Sequence, residues 1–154
     1  MKIEIREAQK KDLKQINAIA KQVHDLHVHL RPDIYLANDV IISEELFSYL
    51  LSEGVVFVTE ADNSIVCYAV CFIKEVNIQI LVKNKILFID AIGSNENYRK
   101  RGLGTLMMQH IIEYAKQTNC NKIELQVSAS NKEAIDFYQH LGMKEKFKVL
   151  EKEI

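Results

Sequence analysis

The run Ile86-Leu87-Phe88-Ile89-Asp90-Ala91-Ile92 constrains the fold more than any other segment. It is apolar on both faces apart from one acid, and such a strand belongs in the middle of a sheet that is covered on both sides. Two further strand-like runs precede it, Val55-Val56-Phe57-Val58 and Ile65 to Ile73, separated by the turn Ala61-Asp62-Asn63-Ser64. They read as a hairpin. The covering layers must then come from helices, and helical periodicity flanks the strands on both sides.

Upstream, Ile3 and Ile5 alternate with polar residues as a first short strand. Leu13, Ile16, Ala20, Val23 and His27 then recur at helical spacing after Asp12 and Gln15, which have the pattern of a capping box. Pro32 ends that helix, and Ser43-Glu44-Glu45-Leu46 opens a second one that closes near Gly54. Downstream, Leu103, Leu106, Met107, His110, Ile111, Tyr114 and Ala115 form a helical stripe, and Ile123 to Val127 alternates as a strand. Ser130 and Glu133 pattern as a second capping box before a helix carrying Ala134, Phe137, Tyr138 and Leu141 on one face. Gly142 stops it, and a closing strand is predicted from about Met143 to Leu150. The order is β-α-α-β-β-β-α-β-α-β, an α/β fold expected to form one domain over residues 1–154.

Composition narrows the class of protein. Of 154 residues, 48% are apolar and 27% charged, with a formal net charge of −1. Disorder and a surface built to grip nucleic acid both require a different balance. The N-terminus carries acid early and does not resemble a secretory signal, and no apolar run approaches the ~20 residues needed to span a bilayer. Cys67, Cys71 and Cys120 are an odd set without close histidine company, so neither a disulfide framework nor a zinc site is indicated. The expectation is a cytoplasmic protein without a membrane or nucleic-acid partner.

The segment Tyr98-Arg99-Lys100-Arg101-Gly102-Leu103-Gly104-Thr105 joins the buried strand to an amphipathic helix. Unpaired amides and the positive dipole end of a helix start attract anions. Glycines there remove side chains that would block access, and three consecutive cations add to the field. The inference is a site for phosphate or pyrophosphate. It is neither the dinucleotide fingerprint, since Met107 stands where a third glycine would be needed, nor a P-loop, since Gly-Lys-Ser/Thr is missing.

Arg99-Lys100-Arg101-Gly102-Leu103-Gly104 resembles the signature of the GNAT superfamily of acyl-CoA-dependent N-acetyltransferases: Arg or Gln, two residues, Gly, one residue, then Gly or Ala. A second segment, Val127 to Tyr138 closing at Leu141-Gly142-Met143, is similar to that family's strand, Asn, helix, Phe-Tyr and Leu-Gly-Phe block, with Met143 in place of Phe. The resemblance spans nearly the whole chain and implies a mixed central sheet flanked by helices. It also implies acetyl-CoA as cosubstrate, no metal, and direct attack of an amine on the thioester in a ternary complex.

Site residues follow from the same resemblance. Amides from Arg99 through Lys100, Arg101, Gly102, Leu103, Gly104 and Thr105 would hold the CoA pyrophosphate. Backbone at Ile92 and Ser94 would pair with the pantetheine arm, and amides near Gly93 and Ser94 would stabilise the oxyanion. Asn131 would bond the arm, Ala134 and Phe137 would line its passage, and Tyr138 would protonate the departing thiolate. Asp90 is the candidate base: an acid inside an apolar strand is expected to be partly buried, with its pKa raised. Glu96 is a weaker candidate for that role. His27, Arg31, Asp33 and Tyr35 would line the acceptor pocket. His24, His27 and His29 do not make a metal site, because His24 and His27 share a helix face while His29 lies near the break at Pro32. A small-molecule or peptide amine would be the acceptor. A homodimer with the last strand at its contact is compatible with the resemblance. The alternative is a non-catalytic acyl-CoA-binding or sensor module on the same fold.

Overall fold

The computed structural model describes all 154 residues, Met1–Ile154. The element order is β1 (Ile3–Glu7), α1 (Leu13–Leu30), α2 (Glu44–Glu53), β2 (Val55–Ala61), β3 (Ser64–Val76), β4 (Asn84–Ser94), α3 (Leu103–Gln117), β5 (Lys122–Leu125) and α4 (Lys132–His140). The strands lie in sequence order in one sheet. β1 to β4 are antiparallel neighbours, and β4 and β5 are parallel, joined by the α3 crossover. Asp62 and Asn63 both adopt left-handed backbone, the conformation that a two-residue turn between β2 and β3 requires.

Alternation along the strands divides the core in two. Val56, Val58, Tyr68 and Val70 pack against Ile16 and Ile19 of α1 and Phe47 and Leu50 of α2. Phe57, Cys67, Ala69, Cys71, Leu87 and Ile89 face Met107 and Ile111 of α3 on the other side. β4 is thus an interior strand, with Leu87 and Ile89 in the α3-side cluster and Ala91 packed against the α1–α2 side. Cys67 and Cys71 share one face, are fully buried and are unpaired, in keeping with small core residues. No helix is long and apolar enough to cross a membrane.

Four local expectations change in the structure. The closing strand is absent: residues 144–154 lie in no strand and make no backbone–backbone hydrogen bond. Their alternating pattern suits a strand, but a strand exists only where another edge pairs with it. Asp12 does not cap α1. It is buried, takes two bonds from the Arg6 guanidinium at 2.8 and 3.1 Å, and accepts the Gln9 amide at 2.7 Å. The charge pair outcompetes the cap, and the carboxyl is held well below its usual range chiefly by the Arg6 bond. The Ser130–Glu133 box is replaced by Asn131, whose Oδ1 accepts the Ala134 amide at 3.2 Å. The strand expected through Val127 stops at Leu125. The Ser43 cap on Leu46 and the left-handed Gly142 after α4 are as expected.

Candidate active site

Parallel pairing between β4 and β5 runs from Ile86↔Lys122 to Ile89↔Leu125 and ends there. β4 continues to Ser94, so residues 90–94 present an edge to which β5 offers no partner. Ile92, Gly93 and Ser94 lie on this open edge, paired on their other side with Ala69, Tyr68 and Cys67 of β3. A sheet edge of this kind can take up one more extended chain through its free amides and carbonyls.

The opening begins at a β-bulge. Val70 pairs with Ala91 and Cys71 with Ile89, so Asp90 is the extra residue on β4. The bulge turns its side chain outward, and Asp90 is exposed. The expectation of a partly buried carboxylate therefore does not hold. A bulge is a property of strand pairing, and no run of residue types announces it.

At the far end of β4, a short turn at Glu96–Tyr98 leads into the basic loop. Lys100 and Gly102 have φ of 61° and 79°, and the amides of residues 100 to 105 donate to no acceptor in the protein. Left-handed residues in a loop that opens the 15-residue α3 create a concave run of N–H groups at the positive end of a helix dipole. Arg99, Lys100 and Arg101 are exposed and form no ion pair, and the Arg101 guanidinium lies 5.1 Å from the Tyr98 ring centroid. Leu103 is buried, fixing the first turn of α3. The two glycines differ in what they do. A Cβ at Gly102 would meet nothing within 4 Å, so backbone conformation demands glycine there. A Cβ at Gly104 would sit 3.1 Å from Phe137 Cζ, so close approach of α4 demands it.

That contact joins the two sequence motifs. Phe137 rests on the first turn of α3, and Tyr138, its ring 5.3 Å from that of Phe137, packs against the core beneath the open edge. The Tyr138 hydroxyl makes no hydrogen bond within the protein, and its pKa is pushed up to about 12, first by burial and then by Cys67. Cys67 in turn accepts from the Ser94 hydroxyl at 3.5 Å, and burial holds its own thiol above the ordinary range. Ser94 and Cys67 are thus bonded at the end of β4, and Tyr138 packs against the core cluster that contains Cys67. Ala134 and Asn131 are half-buried on the same helix, and with Oδ1 engaged in the cap, the Asn131 amide nitrogen remains free to donate.

On the opposite face of the sheet, α1 lies directly on β4. A Cβ at Gly93 would come within 2.8 Å of Val23 Cγ2 and 3.2 Å of Tyr68 Cε1. Gln22 Oε1 accepts the Glu96 amide at 2.9 Å, tying α1 to the loop in which Glu96 lies exposed. Neither Gln22 nor the close packing at Gly93 was legible in the sequence, because both depend on where α1 crosses the sheet. Tyr68, buried beside Gly93, has its phenol raised to about 12 by burial, then by Cys67 and Asp90.

One turn after Val23, His27 stacks on Tyr35 with centroids 4.9 Å apart, and His24 meets the same ring edge-on. His24 Nε2 lies 2.6 Å from the Leu36 carbonyl, and His27 Nδ1 is buried without a partner. Burial, then the neighbouring His24, holds His27 below its usual pKa. Arg31 and Asp33 are brought to the same loop but engage each other at 2.7 and 2.9 Å, and Arg31 also holds Glu151 at 2.5 Å. These charges are already matched within the chain. No group of three or more His, Cys, Asp and Glu side chains is arranged to hold a metal ion.

Comparison with known proteins agrees with this geometry. A family model described as the acetyltransferase (GNAT) family matches residues 20–143. The chain is 36% identical over 91 residues to an uncharacterized N-acetyltransferase of Methanocaldococcus jannaschii, covering 58% of this chain and 39% of that protein. It is 32% identical over 99 residues to an N-alpha-acetyltransferase of Sulfurisphaera tokodaii, covering 60% and 58%. The matches span less than two thirds of either relative's length. Among solved structures, a mutant of the BH1408 protein from Bacillus halodurans aligns with a TM-score of 0.94 at 28% identity, over 98% of this chain and 99% of that one. An aminoglycoside N-acetyltransferase solved in complex with CoA shares the fold, with a TM-score of 0.74 at 17% identity over 99% and 95% of the chains. The mixed sheet, the open edge on β4, the loop of free amides and the matched family model lead to one assignment: this chain belongs to the GNAT acetyltransferase family.

Proposed function

We propose that residues 1–154 form a single cytoplasmic N-acetyltransferase domain that moves an acetyl group from acetyl-CoA to a primary amine. One observation carries the reading: the unpaired edge of β4 at residues 90–94 leads into a loop of free amides at residues 100–105, and Tyr138, whose hydroxyl has no partner in the protein, packs against the core on the α3 side of the same sheet. Those are an extended-chain site, a pyrophosphate site and a proton donor in sequence. When bound, acetyl-CoA supplies an activated acyl group as a thioester. The amides of residues 99–105 hold its pyrophosphate, and the Ile92 and Ser94 backbone pairs with its pantetheine arm. The Asn131 amide nitrogen, Ala134 and Phe137 guide that arm. Amides near Gly93 and Ser94 stabilise charge on the carbonyl oxygen, and Tyr138 gives its proton to the sulfur.

The amine enters from the side of α1, past His27 and Tyr35, with Arg31 and Asp33 at the rim. It attacks in its neutral form, and Asp90 takes up its proton through solvent, an arrangement that suits an exposed carboxylate at the mouth of the cleft. The relative named as an N-alpha-acetyltransferase and the neighbour named as an aminoglycoside N-acetyltransferase support an acceptor that is a peptide or small-molecule amine. The test is CoA release, followed by thiol detection, across α-amino peptides, aminoglycosides and polyamines. Turnover with one class establishes the acceptor. Tight acetyl-CoA binding with no turnover on any amine would replace this reading with a sensor module.

A further inference from the structure

Residues 77–83 join β3 to β4 at the end of the sheet opposite the unpaired edge. A single turn, closed by the Leu81 amide donating to the Ile78 carbonyl at 2.9 Å, shapes this hairpin tip. Its apolar side chains stand in water: Ile78, Ile80, Leu81 and Val82 are 59%, 87%, 53% and 80% exposed. Residues 76–82 carry no charge. Exposed apolar residues scattered singly are ordinary, but a cluster of them on one protruding tip marks an interaction surface.

Lysines border the tip. Lys74, Lys83 and Lys85 flank it in sequence, and Lys122 stands opposite Ile86 on the β4–β5 ladder. None of them is in an ion pair, and Glu75 is the only acid among residues 74–85. The whole chain has a net charge of −1, so this excess of cations is local. Asn121 clamps the base of the hairpin. Its Oδ1 accepts the Lys85 amide, its own amide donates to the Lys85 carbonyl, and its side-chain nitrogen donates to Asn84 Oδ1, each at 2.8 Å. The clamp fixes Lys122 beside Lys85 and leaves the apolar tip unengaged.

We propose that this tip is a membrane-surface contact: Ile78, Ile80, Leu81 and Val82 enter the boundary between headgroups and acyl chains of an anionic bilayer, while the bordering lysines meet the headgroup charge. The expectation of no membrane partner rested on the lack of a spanning run, which a surface contact does not need. Charge complementarity identifies the occupant. An apolar pocket on a protein would cover the tip and leave the lysines unmatched, whereas an anionic leaflet answers both features. Side chains that project this far also suit a surface that yields around them. At about 3.3 Å per residue along β4, Ser94 stands roughly 30 Å from the tip, so docking leaves the unpaired edge facing away from the bilayer. The inference is independent of the acetyl-transfer reading.

Co-sedimentation of the full chain with vesicles tests it, using phosphatidylcholine alone and an equimolar mixture with phosphatidylserine. Binding to the mixed vesicles should be tighter by roughly tenfold or more at low salt and should weaken as salt rises. Ile80→Asp with Val82→Asp should abolish pelleting, and Lys83→Gln with Lys85→Gln should weaken it by roughly tenfold or more. Both variants should keep the wild-type thermal midpoint, since none of these side chains belongs to the core. The proposal is overturned by no pelleting with mixed vesicles, by equal binding to both vesicle types, or by wild-type pelleting of the double Asp variant. A dimer in light scattering that the double Asp substitution disperses would also overturn it, by giving the tip to a second copy.

Discussion

Tyr138→Phe isolates one proton. The phenylalanine ring keeps the edge-on contact with Phe137, at 5.3 Å between centroids, and the lost hydroxyl had no hydrogen-bond partner in the protein. No internal donor or acceptor is orphaned, so the stability change should stay under about 1 kcal/mol. The catalytic change should be much larger. With its pKa pushed up to about 12, the phenol is protonated in all but about one molecule in 10⁵ at pH 7. A donor that is always loaded contributes roughly 10²–10⁴-fold when it protonates the leaving group. That corresponds to about 2.7–5.4 kcal/mol in the barrier. The assay is kcat by thiol release, beside CoA affinity by calorimetry and the thermal midpoint. The expected pattern is a hundredfold or greater loss in kcat with the other two unmoved. The pH profile adds a second reading. Ionisation of an ordinary tyrosine would lower the rate with a midpoint near pH 10, whereas wild type should hold its rate past that point. Unchanged turnover in the variant, or a wild-type decline centred near pH 10, would refute the assignment.

Other expectations come from backbone and burial. Gly102→Ala meets no atom but forces φ near +79° on a residue with a Cβ, at a cost of about 1–2 kcal/mol. CoA affinity by calorimetry should fall while kcat at saturation changes little. Gly104→Ala places a methyl 3.1 Å from Phe137 and shifts α4, so kcat should fall more than affinity, and equal kcat would sink that reading. His27 has a folded pKa below its unfolded ~6.5, so the unfolded chain binds the proton first as pH falls. Its contribution to stability is complete above pH ~6.5 and is lost as the pH drops towards the folded pKa. His27→Phe, which keeps a ring on Tyr35, should flatten the decline of thermal midpoint between about pH 7 and pH 5; an unchanged slope would count against it.

What the sequence revealed and what it hid divide along physical lines. β4 was legible because a strand apolar on both faces has one stable environment, and the loop at residues 99–105 because glycines and cations at a helix start are local signals. Asp90 was misread because its exposure comes from an extra residue in the β3–β4 pairing, which no local pattern encodes. Asp12 matched a capping box in spacing, yet Arg6 reached it from β1 and the ion pair prevailed. Arg31 and Asp33 were placed at the acceptor loop, but their mutual pairing depends on side-chain direction. Residues 143–150 carry a strand pattern and form no strand, since alternation specifies a face and not a partner.

The brevity of β5 is what opens the site. With only four residues, β5 stops pairing at Leu125, and that is what frees β4 from Asp90 to Ser94. A longer β5 would continue the ladder along Ile92 and Ser94 and close the edge that an extended ligand needs. The same shortness leaves the strand little surface of its own, with Ile123 and Leu125 its apolar contacts with the α3 side of the core. An edge strand so short gains little from one neighbour and gains more from a second. The open edge on β4 therefore follows from the place where β5 ends: its four residues leave Asp90 to Ser94 without a partner, and each residue paired beyond Leu125 would cover part of that edge.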